Sequence, residues 1–259
     1  MKTVTFYSGK GGVAKTSSAI NLAFCLRRRG HRILLVDADV QGSMSFLCTD
    51  NPSAIPLAQV LVGNSTSAEA IIPTLPAWNG ISVLVGDKST AAAELQLVNE
   101  PGRESRLKDA LQQVANNYDY AIIDTAPTRG VAGFNALVAA DFVVIPVSPG
   151  VTDFIGACAC VELVQQVKRY ANPSLEIAGF LLTRWKKDKL SKDLEKQVRA
   201  MFPGQVFSTV VPEAVAVGVA NANKSRVVST SPDSPASLAY LNLSNEVLNY
   251  VEKLERRAS

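Results

Sequence analysis

The sequence predicts an α/β fold: a doubly wound, mostly parallel sheet with helices on both faces. Three observations carry that expectation. The chain opens with a short apolar run at residues 4–7, a glycine-rich turn, and a segment with Ile20, Ala23, Phe24 and Leu26 at helical spacing. Later apolar runs at residues 33–36, 120–123 and 142–147 are continuous rather than alternating, as in strands buried on both faces. Helical segments fall between these runs, which is the pattern of βαβ units in a parallel sheet.

Taken in order, helix 18–29 stops near Gly30, and residues 33–36 form the second strand. Residues 50–80 are rich in Pro, Ser and Asn and read as variable surface around a short helix at 57–62, with no chemistry assigned. A strand at 81–85 and helices at 90–97 and 103–115 follow. The strands at 120–123 and 142–147 come next, then a helix at 152–169, a sixth strand at 177–182 and a helix ending near Met201. The closing helix, 236–257, carries an apolar stripe of Leu238, Leu241, Val247, Leu248, Val251 and Leu254.

Length and composition set bounds. With 259 residues, 47% of them hydrophobic, the chain can bury a large core, and we expect one domain across 1–259. No run of 18 apolar residues is present, so no spanning helix is expected, and the tail from Glu252 to Ser259 lacks the bulky apolar residues of an interfacial membrane helix, so no membrane partner is expected. The start at Met1-Lys2-Thr3 lacks the shape of a signal peptide. Cys25, Cys48, Cys158 and Cys160 are too few and too scattered for a disulfide framework, which fits a cytoplasmic protein. The net charge of +3 is unevenly placed: residues 180–259 hold 12 Lys/Arg against 8 Asp/Glu, and residues 1–179 hold 14 against 15. From Arg184 to Arg199 there are seven basic and three acidic residues, a distribution suited to a polyanion.

The chemistry concentrates in Ser8-Gly9-Lys10-Gly11-Gly12-Val13-Ala14-Lys15-Thr16-Ser17. Glycines leave backbone N–H groups free to converge on phosphate oxygens, and a helix beginning near Lys15 adds donors and the positive end of its dipole. In such a loop Lys15 reaches the β- and γ-phosphates and the Thr16 hydroxyl sits on Mg²⁺. Two more strands end in acids, Asp37-Ala38-Asp39-Val40-Gln41-Gly42 and Asp124-Thr125-Ala126-Pro127. Carboxylates at the carboxyl ends of parallel strands face the ligand crevice.

Lys10 directly before Gly11-Gly12 makes the run resemble the deviant Walker A motif of the ParA/MinD superfamily, K-G-G-x-G-K-[ST], with Ala14 in place of a glycine. Residues 37–42 resemble that family's D-x-D-P-Q-G, with Val40 for the proline, and residues 124–127 its Walker B-like segment. The resemblance implies a P-loop ATPase using ATP and Mg²⁺, with loop residues Gly9 to Ser17 around the phosphates. Lys10 would cross to the nucleotide of a second subunit in an ATP-sandwich homodimer. Asp39 would orient the attacking water, and Asp37 and Asp124 would support Mg²⁺ and its water shell. By position Arg184 would contact adenine, and Pro212 and Glu213 would lie near adenine and ribose. A Cβ at residue 14 costs little at negative φ and about 1 kcal/mol or more at positive φ.

No stretch precedes the first strand that would hold a helix-turn-helix, so the chain resembles the short, Soj-like ParA type. That implies non-specific DNA binding, location on the nucleoid, and a ParB-like or cargo-adaptor partner that stimulates hydrolysis. Lys186, Lys187, Lys189 and Lys192 are the expected DNA contacts, with Lys224 and Arg226 as a second candidate surface. The alternative is a MinD-like or regulatory ATPase acting through a protein partner without DNA. A metallocluster carrier is a third reading, but Cys158 and Cys160 stand at i and i+2 of an expected helix and share no face, so they read as packing residues.

Overall fold

The computed structural model describes residues 1–51, 53–127 and 130–258. The chain runs β1 (Lys2–Phe6), α1 (Lys15–Arg27), β2 (Ile33–Ala38), α2 (Ser43–Cys48), α3 (Leu57–Leu61), α4 (Ser67–Ala70), β3 (Ile72–Pro73) and β4 (Ser82–Leu84). It continues through α5 (Ser89–Leu97), α6 (Arg106–Gln112), β5 (Tyr120–Thr125), α7 (Val131–Ala139), β6 (Phe142–Val147), α8 (Val151–Tyr170) and β7 (Glu176–Trp185). It ends with α9 (Lys189–Met201), β8 (Val206–Pro212), α10 (Val215–Ala222), α11 (Val227–Thr230) and α12 (Pro235–Ala258). The strands form one sheet in the order β3-β4-β2-β5-β1-β6-β7-β8. Among the described residues only the β3–β4 pairing is antiparallel.

The continuous apolar runs are explained by burial on both sides of the sheet. In β2, Ile33 and Leu35 join the core cluster under α1 and α12, while Leu34 and Val36 join the one that holds residues of α3, α6 and α7. In β6, Phe142 and Val144 face the first cluster and Val143 and Ile145 face α8. Alternate side chains of one strand thus enter two cores, so the middle of the strand is apolar at successive positions.

The topology sets the position of the site. From β1 the chain moves outward to β2 and β4, then returns as β5, which pairs with both β1 and β2. It next crosses beside β1 to β6, β7 and β8. The reversal opens a crevice at the carboxyl ends of β1, β2 and β5.

The structure departs from the sequence reading at several elements, α2, β3, α4 and α11 among them. Helices α7 and α10 were not marked, because Val131–Ala139 and Val215–Ala222 are apolar on most sides and carry no clear period. The stretch 50–80 is not peripheral surface. Trp78 is fully buried, its indole N–H donates to the Lys224 carbonyl at 3.3 Å, and Leu57, Leu61 and Ala70 are equally buried. The stretch covers one end of the sheet and the flank of α1, where the Arg27 guanidinium donates to the Asn79 carbonyl at 2.6 Å. Trp78→Ala is therefore expected to cost about 3–5 kcal/mol, read as a lower urea midpoint at unchanged slope. A shift under about 0.5 kcal/mol would return this stretch to the status of surface.

Candidate nucleotide site

The loop between β1 and α1 is fixed at four points. The Gly9 N–H donates to the Cys160 thiol sulfur of α8 at 3.3 Å. The Gly12 carbonyl accepts from the Arg184 guanidinium at 2.9 Å, and the Val13 carbonyl accepts from the Thr183 hydroxyl at 3.0 Å. The Lys15 ammonium donates to the Lys10 carbonyl at 3.1 Å and is 7% exposed. Burial lowers the Lys15 pKa, and Asp124 and Asp39 oppose that shift. Gly12 sits at φ 78 and Ala14 at φ 59, both left-handed. Ala14 is therefore in the costly conformation, at about 1 kcal/mol. It caps α1 with no side-chain bond, so the first-turn N–H groups remain available to an anion.

Lys10 takes a different direction from the rest of the loop. Its ammonium lies 2.7 Å from the Thr152 hydroxyl and 2.9 Å from an Asp153 carboxylate oxygen, both in the first turn of α8. It does not line the cleft beside its own loop, and neither do Gly9 and Val13.

The carboxylates converge through strand register. Asp37 of β2 is the direct partner of Asp124 of β5. Asp37 has no exposure and accepts three hydrogen bonds, from Ser45 N–H at 2.8 Å, the Ser45 hydroxyl at 2.7 Å and Asp39 N–H at 3.1 Å. Both of its oxygens are engaged in holding the 37–45 loop. Burial still pushes its pKa up to about 6. Asp124 is also fully buried; among the described residues it accepts only from the Thr16 hydroxyl, at 2.5 Å, and its second oxygen has no partner. Burial, then the neighbouring Asp37, pushes its pKa up to about 8. Asp39 is 8% exposed and lines the cleft, its Oδ1 accepting from Gln41 N–H at 2.9 Å.

The cleft above these residues has a volume of ≈ 540 Å³. Gly11, Gly12, Ala14, Lys15, Thr16 and Ser17 form its floor, and Arg184, Pro212 and Glu213 its rim. Glu213 receives the Arg184 guanidinium at 2.9 Å and the Lys186 ammonium at 3.3 Å. The sequence reading missed the far wall, Val217, Gly218 and Asn221 of α10. The Asn221 amide donates to the Ser17 hydroxyl at 3.2 Å. The signal available was Gly218 and Asn221 at i and i+3 of a short apolar segment. An unpaired buried carboxylate oxygen beside a hydroxyl, under a helix N-terminus with one lysine, suits a polyphosphate carried with a divalent cation. Among the described residues no three His, Cys, Asp or Glu converge as a metal cluster, so such a cation would rest on Thr16, Asp124 and the ligand's own oxygens.

The basic residues divide. Lys187, Lys189 and Lys192 are exposed, as is Lys186 beside Glu213. Lys224 is bound to Asp50 and lies over the Phe46 ring at 4.4 Å. Arg226 corrects the sequence expectation. It is 2% exposed, stacked 4.2 Å from the Phe24 ring and 4.9 Å from the Trp78 ring, and donates to the Ala77 carbonyl at 2.6 Å. A guanidinium enclosed by two aromatic faces is part of the core and cannot meet a DNA backbone. Cys160 is buried and Cys158 half-buried beside Met201, so the two do not face one ligand.

The fold and this loop define a P-loop nucleotide-binding α/β protein. A family model described as an AAA domain, AAA_31, matches residues 1–177. The chromosome partitioning protein ParA of Caulobacter vibrioides is 32% identical over 265 residues, spanning 100% of this chain and 98% of that protein. The sporulation initiation inhibitor protein Soj of Bacillus subtilis is 34% identical over 248 residues, spanning 95% and 98%. Cobyrinic acid a,c-diamide synthase from Mycobacterium smegmatis, solved with ADP and magnesium, matches with a TM-score of 0.85 at 26% identity over 97% of this chain and 96% of that one. The chain belongs to the AAA_31 family and is a P-loop ATPase of the ParA/MinD type.

The raised carboxylate pKa values give a signed pH dependence. Between about pH 4, where an unfolded Asp ionises, and pH 8, the folded chain keeps protons that the unfolded chain has released. Stability of the nucleotide-free, metal-free protein should therefore fall as pH rises through that window. Asp124→Asn keeps an acceptor for Thr16 and removes the charge. Thermal unfolding in a chelator should show a flatter decline and a higher midpoint at pH 8 than wild type. A variant curve parallel to wild type would remove Asp124 as the cause.

Proposed function

We propose that this protein is an ATP hydrolase that pairs on ATP, binds DNA without sequence preference and positions a plasmid, chromosome or protein cargo. The observation that carries the ATPase half is one cleft lined by a helix N-terminus, Lys15 and Thr16, with the buried Asp124, whose second oxygen has no partner among the described residues, bonded to the Thr16 hydroxyl. ATP would lie with its phosphates against the N–H groups of residues 11–17, and its base toward Arg184, Pro212 and Glu213. Lys15 would balance the β- and γ-phosphate charge. Mg²⁺, held by Thr16 and by Asp124 directly or through water, would neutralise charge on the phosphate oxygens. Asp39, at the cleft wall, would orient the attacking water. Catalysis is then positioning and electrostatics rather than covalent chemistry.

Pairing is supported by Lys10 and by the apolar surface around the cleft. Lys10 is directed away from its own cleft, to the start of α8. Val151 and Ile155 on α8, and Val215 and Val219 on α10, are 65%, 61%, 85% and 54% exposed, more apolar surface than a monomer needs at its ligand face. Similarity to the chromosome partitioning protein ParA and the sporulation initiation inhibitor protein Soj supports this reading. The basic α9 face supports the DNA half. Lys189, Lys192 and Lys196 recur at i, i+3 and i+7 with Lys187 beside them, all exposed.

Asp39→Ala should bind ATP and pair but hydrolyse it at least about 100-fold more slowly, because only transition-state positioning is lost. Phosphate release and light scattering with ATP decide together. Turnover at the wild-type rate would move the water-orienting role elsewhere.

Replacing Lys187, Lys189 and Lys192 together by Glu should weaken ATP-dependent DNA binding by on the order of tenfold or more. It should also flatten its salt dependence by roughly one log unit per lost phosphate contact, with ATP-driven pairing intact. If wild type with ATP binds no DNA at low salt, an ATPase acting through a protein partner becomes the better reading.

A further inference from the structure

We propose that Asp153 is a latch on Lys10 that opposes pairing until ATP draws the lysine away, an inference that rests on the reading of ATP-dependent pairing. The Lys10 ammonium lies 2.9 Å from an Asp153 carboxylate oxygen and donates to the Thr152 hydroxyl at 2.7 Å. The two ends of the ion pair differ in their access to water. The Lys10 side chain is 42% exposed and that of Asp153 only 9%. If the lysine leaves, the carboxylate keeps its charge in a place where little water can replace the ammonium, so opening the contact costs free energy.

Gly150 makes room for this seat. Its φ of −168 suits any residue, so backbone freedom does not explain the glycine. Space does: a Cβ there would stand 2.3 Å from Oδ2 of Asp153, and the carboxylate could not keep its place beside Lys10. The backbone around Lys10 is held independently of the seat. The Gly9 N–H donates to Cys160, about two turns further along α8, and the Lys10 carbonyl accepts from the Lys15 ammonium. Only the Lys10 side chain is left to change partner, and its flexible stem allows that without moving the loop.

The seat lies at the surface that pairing would cover. Val151 and Ile155, in the same two turns of α8, are exposed apolar residues. A second copy laid over them would come against Lys10. The triphosphate of that copy carries several negative charges where Asp153 carries one, so it can draw the ammonium from its carboxylate. Whatever the Asp153 contact contributes in the single subunit is then lost on pairing and subtracts from the free energy of pairing. Each pair opens two latches, so the effect of one is squared in the pairing constant. With no nucleotide there is nothing to receive Lys10, and the latch stays closed.

The test compares wild type with Asp153→Asn, Gly150→Ala, Lys10→Ala and the double variant Lys10→Ala/Asp153→Asn. Sedimentation with Mg²⁺ and a non-hydrolysable ATP analogue gives the pairing constant. A fluorescent ATP analogue, at protein concentrations too low for pairing, gives the nucleotide affinity of the single subunit. Asp153→Asn should pair roughly 10- to 100-fold more tightly than wild type, from about three- to tenfold for each of two latches. Its affinity for the analogue as a single subunit should stay at the wild-type value, and without nucleotide it should remain unpaired. Gly150→Ala should tighten pairing in the same direction, because its methyl displaces the carboxylate. Lys10→Ala and the double variant should pair equally weakly, since the latch then has nothing to hold. Damage to the first turn of α8 would weaken pairing, so a merely structural role for Asp153 cannot produce the expected gain. Asp153→Asn that pairs no more tightly than wild type overturns the inference. So does a gain that survives in the Lys10→Ala background, or that appears without nucleotide. Tighter binding of the analogue by the single Asp153→Asn subunit overturns it as well, because Lys10 would then serve its own cleft. A wild type that does not pair on the analogue overturns the pairing reading and this inference with it. A wild type that pairs, with an indifferent Asp153→Asn, overturns this inference alone.

Discussion

Two carboxylates buried side by side constrain everything at the cleft. The parallel register of β2 and β5 sets Asp37 opposite Asp124, and neither has any exposure. Two charges this close in a medium of low effective dielectric repel by several kcal/mol, so both cannot ionise unaided. The structure resolves the conflict unequally. Asp37 receives three donors and spends both oxygens on Ser45 and Asp39. Asp124 receives one donor, keeps one oxygen without a partner, and has the higher pKa. Thus Asp37 serves the loop, and on the proposed reading Asp124 is the group that holds a proton until a cation takes its place. A divalent cation arriving with a polyphosphate would replace a proton on Asp124, so binding would release that proton and tighten with rising pH.

The fold and the heart of the cleft were legible in the sequence for a physical reason. Strands buried on both faces must be continuously apolar, and parallel strands must deliver their terminal acids to one edge. Lys15 and Thr16 could therefore be read from the order of strand, glycine turn and helix, and Asp39 and Asp124 from their strand-end positions together with the family resemblance. What was not legible depends on contacts between segments far apart in sequence. Nothing in residues 224–228 says that Arg226 would stack between Phe24 and Trp78, because its partners stand about 150 to 200 positions away. Trp78 was hidden for the same reason, in a stretch whose prolines and serines describe its backbone and not its burial. Helices α7 and α10 lacked a period because they have little polar face to reveal one.

The phosphate loop shows how strain is held in place. Ala14 occupies a left-handed conformation that costs an L residue about 1 kcal/mol. Such a residue persists only where its surroundings fix the chain on both sides. Here Thr183 holds the Val13 carbonyl, Arg184 holds Gly12, and Cys160 holds Gly9. Each of those bonds is worth only about 1 kcal/mol, yet together they offset the strain. Cys160 also gives the Cys-Ala-Cys pair a physical meaning: one cysteine supports the loop and the other faces outward.

Charge counted along the sequence overstated the basic surface. From Arg184 to Arg226 the chain has nine Lys and Arg residues. Glu213 binds Arg184 and Lys186, Glu195 binds Arg199, Asp50 binds Lys224, and two aromatic rings enclose Arg226. Lys187, Lys189, Lys192 and Lys196 are left, exposed and without an ion pair among the described residues. Four lysines at the start and along one side of a single helix form a narrow stripe, suited to a few phosphates. Such a stripe alone gives weak, salt-sensitive attraction, and a second copy beside it doubles the number of phosphates met at once. On the proposed reading, the small basic excess is therefore the physical reason for nucleotide control. A broader patch would hold DNA in every state, whereas a narrow one binds well only when ATP joins two subunits.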